Sequence, residues 1–286
     1  MPVTQAAHQN KERCRHCALH LFLYYGAMKE QLTVSLLQTE LAWEDPSANF
    51  GYLDRMLQRL QPGQTDLLIL PEMFTTGFSM NAAQLAEPTK GQAYQWMAEK
   101  AAYLQAVVTG SIIAEVDGQY FNRLLWVHPD GTFSHYDKRH LFTLAGEEKV
   151  YQPGQTHLLT ELKGWTIMPL ICYDLRFPVW SRNTMGYDLL IYVANWPSKR
   201  RNAWKSLLVA RAIENQAYTI GVNRVGEDGN GYPHAGDTSI LDYAGEPLLQ
   251  AADVESVFTV SLDPEKQDEF RRKLRFLDDR DAFELR

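Results

Sequence analysis

The feature that most constrains the fold is an alternation of short apolar runs with amphipathic segments, which begins at residue 32. The apolar runs have the length and β-branched content of buried strands, whereas the segments between them follow a helical period. In order along the chain they read LTVSLLQ, ANFGYLDRMLQRL, DLLIL, AYQWMAEKAAYL and AVVTGSII. This order predicts an α/β domain built on buried strands.

The second half of the chain continues the pattern after a predicted hairpin. Its two strands, FNRLLWVHPDG and TFSHYDK, are separated by the turn residues Pro129, Asp130 and Gly131. A short helix is predicted over PVWSRNTMG, closed by Gly186, and a longer one over NAWKSLLVARAIENQ. The remaining strands are predicted over WTIMPLIC, DLLIYVANW, AYTIGVN, DTSILDY, EPLLQA and SVFTVSL.

The length of 286 residues and a 45% hydrophobic content favour one large domain, which we place at residues 28–286. Its charge-dense end, from about residue 263, is either a helical arm packed on a neighbour or a solvated tail. We interpret residues 1–27 as a disordered extension, although CALHLFLYYGA within it imitates the apolar part of a signal peptide. Three residues there, Cys14, Cys17 and His20, are too few to complete a metal site.

Charge and cysteine content exclude several functional classes. A net charge of -7 and a pI near 5.6 leave no basic field for a nucleic acid. The sequence contains no run of eighteen apolar residues, so it predicts no membrane span. The three cysteines define no disulfide framework, so we expect a reducing, cytoplasmic setting.

Three residues follow predicted strands and carry groups useful for nucleophilic catalysis. Cys172 directly follows WTIMPLI and precedes a polar turn. Glu72 follows DLLIL and a proline, and Lys138 directly follows SHYD. Active sites of α/β folds lie at such strand ends. A nucleophilic thiol needs a base and a positive neighbour, which a glutamate and a lysine supply. A buried structural cysteine and a surface lysine remain the alternatives.

Two further groups could complete this chemistry. The backbone N–H of Tyr173, directly after the candidate nucleophile, could join Lys138 in stabilising the oxyanion of a tetrahedral intermediate. Glu147 could pair with Lys138 or share protons with Glu72, and Glu148 is the alternative for that role.

The three strand ends together resemble the Glu-Lys-Cys signature of the nitrilase superfamily of carbon-nitrogen hydrolases. The matching segments are PEMF, YDKRHLF, EEKVYQPG, ICYDLRFP, ANW, RAIENQ and HAGDTSILDYAGE, and they cover about residues 30–262. The resemblance implies a four-layer α-β-β-α sandwich, a homodimer and no metal or organic cofactor.

Carried over by position, the resemblance implies that Cys172 is the nucleophile, Glu72 the general base and acid, Lys138 the stabiliser of the tetrahedral intermediate, and Glu147 a second glutamate. The intermediate would be a thioester that water hydrolyses. Branches that cleave nitriles typically have Trp-Glu after the cysteine, whereas Tyr-Asp follows here, which favours an amidase.

The run CYDLRFP is similar to the omega-amidase branch, which hydrolyses the terminal amide of 2-oxoglutaramate and related short dicarboxylic monoamides. Such a substrate needs a cation for its distal carboxylate and apolar walls. For the substrate we select Tyr173, Trp196, Phe78 and Arg201. Other candidates are Lys199 and Arg200 for the carboxylate and His234 for the mouth, while Arg176 is expected to form a structural ion pair.

Several alternatives stay open at this point. Within the superfamily they are an N-carbamoyl amide hydrolase, an aliphatic amidase or a nitrilase. A Cys-His enzyme using His128, His135 or His140 fits poorly, because Cys172 follows neither a Gly-rich elbow nor a helix start. A noncatalytic small-molecule binding protein on the same fold is the alternative from another class.

Overall fold

The computed structural model describes residues 29–285. These form two sheets packed face to face with helices on the outer faces, so the predicted four-layer α-β-β-α sandwich is confirmed. The extension predicted over residues 1–27, with Cys14 and Cys17, lies outside the described residues. No helix among residues 29–285 is long and apolar enough to cross a membrane.

The regular elements are numbered in chain order. The strands are β1 Leu32–Gln38, β2 Leu67–Ile69, β3 Glu87–Pro88, β4 Val107–Val116, β5 Gln119–Val127, β6 Phe133–Asp137, β7 Thr160–Leu162, β8 Trp165–Ile171, β9 Leu189–Ala194, β10 Tyr218–Asn223, β11 Val225–Glu227, β12 Pro233–Leu241, β13 Pro247–Ala252 and β14 Ser256–Leu262. The α-helices are α1 Pro46–Leu57, α2 Ala82–Leu85, α3 Gln92–Leu104, α4 Arg201–Asn215 and α5 Pro264–Lys273. Single 3-10 turns span Thr143–Ala145, Glu147–Lys149, Cys172–Arg176, Ser198–Arg200 and Phe276–Asp279.

The first sheet has the strand order β14-β1-β2-β4-β5-β6, with β3 beside β4. Strands β1, β2 and β4 are parallel, and the β4-β5-β6 meander is antiparallel. Helices α1 and α3 cover its outer face, where Phe50 and Leu53 of α1 and Trp96 and Met97 of α3 are buried. Helix α1 begins at Pro46 because the side chain of Asp45 caps its first turn.

The second sheet has the order β11-β12-β10-β9-β8-β7, with β13 beside β12, and its centre, β8-β9-β10, is parallel. Helix α4 packs on this sheet through Trp204, Leu208 and Ala212. Strand β9 is buried along its whole length, as is typical of a parallel strand covered on both faces.

The core lies between the two sheets. Alternate residues of the first sheet, such as Val34, Ile69 and Trp126, point into this core, whereas their neighbours Leu68 and Leu125 point toward the helices. Successive residues of a strand point to opposite faces of the sheet, and here both faces are covered. The strand sequences are therefore apolar throughout.

Two segments of the chain differ from, or decide between, the predictions made for them. The short helix predicted over 178–186 is wrong, because the segment forms turns in which Asn183 Oδ1 accepts hydrogen bonds from the N–H groups of Gly186 and Tyr187. The charge-dense end does form a helix, α5. It packs on its own chain, where Arg271 pairs with Asp188 at 2.7 Å.

Candidate active site

The three residues selected at strand ends meet at one end of the sandwich. Glu72 follows β2, Lys138 follows β6 directly, and Cys172 follows β8 directly. The Nζ of Lys138 lies 2.9 Å from Glu72 Oε1, and a fourth strand end contributes Asn195, whose backbone N–H donates to Glu72 Oε2 at 2.8 Å. The carboxyl ends of strands from both sheets therefore build one site.

The backbone of Cys172 adopts an unusual conformation, with φ of 42°. This conformation turns the chain from β8 into the 3-10 turn Cys172–Arg176. Buried Asp174 holds the turn: it accepts hydrogen bonds from Ile171 N–H at 3.1 Å and from the hydroxyl of Tyr136 at 2.8 Å. Since a positive φ is costly for a residue with a Cβ, the surrounding bonds must hold Cys172 in place.

Lys138 lies between two carboxylates, and all three side chains are fully buried. Its Nζ is 3.0 Å from both oxygens of Glu147 as well as 2.9 Å from Glu72. Burial lowers the pKa of Lys138, but the negative charges of Glu147 and Glu72 raise the pKa by more, so the net direction is upward. This favours the charged ammonium form of Lys138.

Burial also changes the pKa values of Glu147 and Cys172. The pKa of Glu147 is raised by burial, which Lys138 opposes and Glu72 reinforces. The pKa of Cys172 is raised well above its usual range by burial and then by the charge of Glu72, while Lys138 opposes both. A thiol in this setting keeps its proton until a neighbouring base takes it.

A cavity of about 1050 Å³ opens above these groups. Cys172, Glu72 and Lys138 line it. Phe78 and Trp196, for which we expected apolar contacts with the substrate, line it as well. Further lining residues include Trp43, Phe142, Leu144, Tyr173, Tyr232 and His234. The volume suits a small organic substrate.

Two guanidinium groups line this cavity without a carboxylate partner among residues 29–285. Arg176 lies with its guanidinium carbon 4.9 Å from the ring centre of Trp196, and Arg200 lies 5.0 Å from that of Phe142. Stacking orients each group without using its N–H donors. Lys199 also lines the cavity, but it is exposed.

The structure corrects two expectations about the basic residues. Arg201 does not line the cavity, because α4 begins there and turns its side chain to Asp237, which it binds through two N–H groups at 2.9 and 2.8 Å. Arg176 was expected to form a structural ion pair, but its contact is with Trp196.

The positions of the side chains also decide between the alternatives for the other site residues. Glu148 is exposed, whereas Glu147 is buried against Lys138. His140 binds Asp174 at 2.8 Å and stacks on Phe177, so it does not face the thiol as a Cys-His pair would. His234 lines the cavity, and burial lowers its pKa to about 4.

Two residues of the site escaped the sequence analysis. Asn122 donates from Nδ2 to Glu72 Oε1 at 2.8 Å, and Asn195 holds the other oxygen of that carboxylate. The signal for both was a polar residue in or directly after an otherwise apolar strand, where burial without a partner is costly.

Comparison with known proteins agrees with this architecture. The carbon-nitrogen hydrolase family model matches residues 33–272. The omega-amidase YafV of Escherichia coli strain K12 is 44% identical over 256 residues, covering 89% of this chain and 98% of that protein. The 2-oxoglutaramate amidase of Bacillus subtilis is 32% identical over 252 residues, covering 86% of this chain and 96% of that protein.

A solved structure is similar in both fold and sequence. XC1258 from Xanthomonas campestris, described as a CN-hydrolase superfamily protein with an arsenic adduct in its active site, has a TM-score of 0.88 and 43% identity, covering 90% of this chain and 100% of that chain. The chain belongs to the carbon-nitrogen hydrolase family. Within this family it is an amidase, and the omega-amidases are among its relatives.

Proposed function

We propose that the protein hydrolyses the terminal amide of a short dicarboxylic acid monoamide, such as 2-oxoglutaramate or succinamate, through a thioester on Cys172. One observation carries this proposal. The thiol lies beside the buried Glu72–Lys138–Glu147 cluster, in a cavity whose wall presents two guanidinium groups without carboxylate partners among the described residues.

In the first step the thiol proton moves to Glu72 as Sγ attacks the amide carbon. Glu72 Oε1 already accepts hydrogen bonds from Lys138 and Asn122, whereas Oε2 accepts one from Asn195. Oε2 therefore has the lone pair available for the proton. The transfer leaves the total charge of the cluster unchanged, which favours it in a buried site.

The attack forms a C–S bond and places a negative charge on the former carbonyl oxygen. Lys138 is a cation nearby, and the first N–H groups of the turn that starts at Cys172, including that of Tyr173, have no acceptor within the turn. Preorganised donors of this kind stabilise an oxyanion without reorganisation during the reaction.

Glu72 then returns the proton to the amide nitrogen, the C–N bond breaks, and ammonia leaves behind a thioester. In the second half Glu72 takes a proton from water while the hydroxyl attacks the thioester carbon. The C–S bond breaks and the sulfur recovers its proton from Glu72. The product leaves as the carboxylic acid, which loses its remaining proton to solvent and becomes the carboxylate.

The distal carboxylate of the substrate would bind Arg176 and Arg200. Arginine suits this task because its N–H groups match a carboxylate in two-point contact. The names of the relatives point the same way, since they are an omega-amidase and a 2-oxoglutaramate amidase.

The test is a measurement of ammonia release from 2-oxoglutaramate, succinamate, glutamine, an N-carbamoyl amino acid and a simple nitrile. We expect release from the two dicarboxylic monoamides, with loss of activity in Cys172→Ala and Glu72→Gln. Mass spectrometry of the wild-type protein, quenched during turnover of succinamate, would show whether an acyl group forms on Cys172.

The other outcomes select the alternatives. Turnover of the carbamoyl compound or the nitrile alone would replace the proposed substrate class. No turnover together with a thiol that resists alkylation would favour a binding protein. A homodimer and a cytoplasmic location remain predictions; sedimentation analysis tests the first and cell fractionation the second.

A further inference from the structure

Asn122 is a fully buried polar residue on β5. The rest of the strand after Asn122 consists of Arg123, which is largely buried, and the apolar run Leu124–Val127. We propose that Asn122 is a positioning residue that holds Glu72 and Glu147 in place around Lys138 and so fixes which oxygen of Glu72 receives the thiol proton. This proposal rests on the function proposed above.

The contacts of Asn122 reach all three members of the charged cluster. Its Nδ2 lies 2.8 Å from Glu72 Oε1 and 3.3 Å from Glu147 Oε1. Its main-chain oxygen accepts a hydrogen bond from the backbone N–H of Lys138 at 3.0 Å. One residue thus bridges two carboxylates of like charge and anchors the lysine between them.

The orientation of the amide is determined by charge. A flipped amide would place Oδ1 against two carboxylates, so Nδ2 must face them. In this orientation Oδ1 is buried without a hydrogen-bond partner among the described residues. An unpaired buried acceptor is destabilising, so fold stability alone gives little reason for an asparagine here.

The bond to Oε1 has a direct consequence for proton transfer. Asn122 and Lys138 together occupy Oε1 of Glu72, and Asn195 gives one bond to Oε2. Without Asn122, Oε1 would have a free lone pair, the carboxylate could rotate, and proton acceptance would no longer be confined to Oε2. A misplacement of about 1 Å in such a group can reduce a rate about 10²-fold.

The test compares Asn122→Ala and Asn122→Asp with the wild-type protein. Asn122→Asp keeps the side-chain shape but replaces the donor with an acceptor that repels both glutamates. The matched control is Asn183→Ala, because Asn183 is equally buried and its side chain bonds the backbone of Gly186, Tyr187 and Asn215, away from the site. For each variant we would measure kcat and KM for succinamate, the alkylation rate of Cys172 by iodoacetamide, and thermal unfolding.

We expect both Asn122 variants to lose about 10²-fold in kcat with little change in KM. The acidic limb of their kcat–pH profiles should move to higher pH, because a carboxylate that loses a donor or gains a negative neighbour binds its proton more tightly. The amide of Asn122 contacts Glu72 and Glu147. The ionisable groups that interact with these two glutamates are Lys138, Cys172 and Tyr151. Asn183→Ala should lose stability while keeping its kcat and pH profile.

Three results would overturn the assignment. An unchanged kcat in folded Asn122→Asp would exclude a positioning role. A rise in KM alone would assign Asn122 to substrate binding, and a loss explained by the unfolded fraction would make it structural. If the wild-type protein did not hydrolyse succinamate, the proposed function would fail, but the alkylation rates and their pH dependence would still test whether Asn122 controls Cys172.

Discussion

Replacing Arg176 by methionine should remove the preference for substrates with a distal carboxylate. Methionine keeps much of the length of the side chain and its contact with Trp196 but removes the charge and the donors. The amide chemistry at Cys172 should be unaffected, because the change is confined to the cavity wall.

The magnitude follows from the setting of the guanidinium. A hydrogen bond to a charged group contributes about 1.5–3 kcal/mol, which is a factor of about 10 to 150 in kcat/KM. Arg176 is only half-buried and Arg200 lines the same cavity, so we expect a value toward the lower end.

The assay compares succinamate with butyramide, which lacks the carboxylate. Arg176→Met should lower kcat/KM for succinamate about 10-fold or more and leave that for butyramide nearly constant. Arg201→Met is the matched control, because Arg201 is the same residue type close by but binds Asp237 outside the cavity.

An equal loss for both substrates would refute the reasoning, because it would show that Arg176 supports the site without contacting the carboxylate. An effect of Arg201→Met as large as that of Arg176→Met would also contradict it. The effect of Arg200→Met on the same two substrates then measures how much the second guanidinium contributes to binding the distal carboxylate.

Three further predictions concern buried charges. Glu147→Gln should lower kcat about 10²-fold at nearly constant KM, because the buried ammonium loses one of its two carboxylates; steady-state kinetics would check this. Asp188→Asn breaks pairs with Lys29 and Arg271 at the opposite end of β9 from the site, so urea unfolding should show a loss of about 3 kcal/mol with kcat unchanged. Since the pKa of His234 is about 4 in the folded protein against 6.5 normally, the unfolded state binds more protons as pH falls from 6.5 to 4. This linkage should lower the free energy of unfolding by about 3 kcal/mol over that range. Urea titrations at several pH values should show that the free energy of unfolding of His234→Gln falls less steeply with decreasing pH than that of the wild-type protein.

The sequence by itself determined the layers of the fold and the positions of the reactive groups. Apolar runs of strand length alternating with helical patterns predict an α/β domain with buried strands. The four-layer sandwich was implied by the resemblance of the strand ends to a known family. Because Glu72, Lys138 and Cys172 each follow such a run, their place at one end of the sheets could be predicted before any contact was known.

Local segments with competing hydrogen bonds could not be predicted in this way. The pattern over residues 178–186 suits a helix, but Asn183 bonds to the backbone that follows it, which favours turns. Such a competition is decided by short-range geometry that a hydrophobic pattern does not contain.

Only the tertiary structure decided which neighbours share the cavity. Arg200 and Arg201 are adjacent in the chain, yet the start of α4 directs one toward the cavity and the other toward Asp237. Asn122 and Glu72 are fifty residues apart, and their contact exists because β5 and β2 both lie beside β4. Periodicity determines which face of an element is buried, whereas the direction of a single side chain depends on groups brought close by strand pairing and packing.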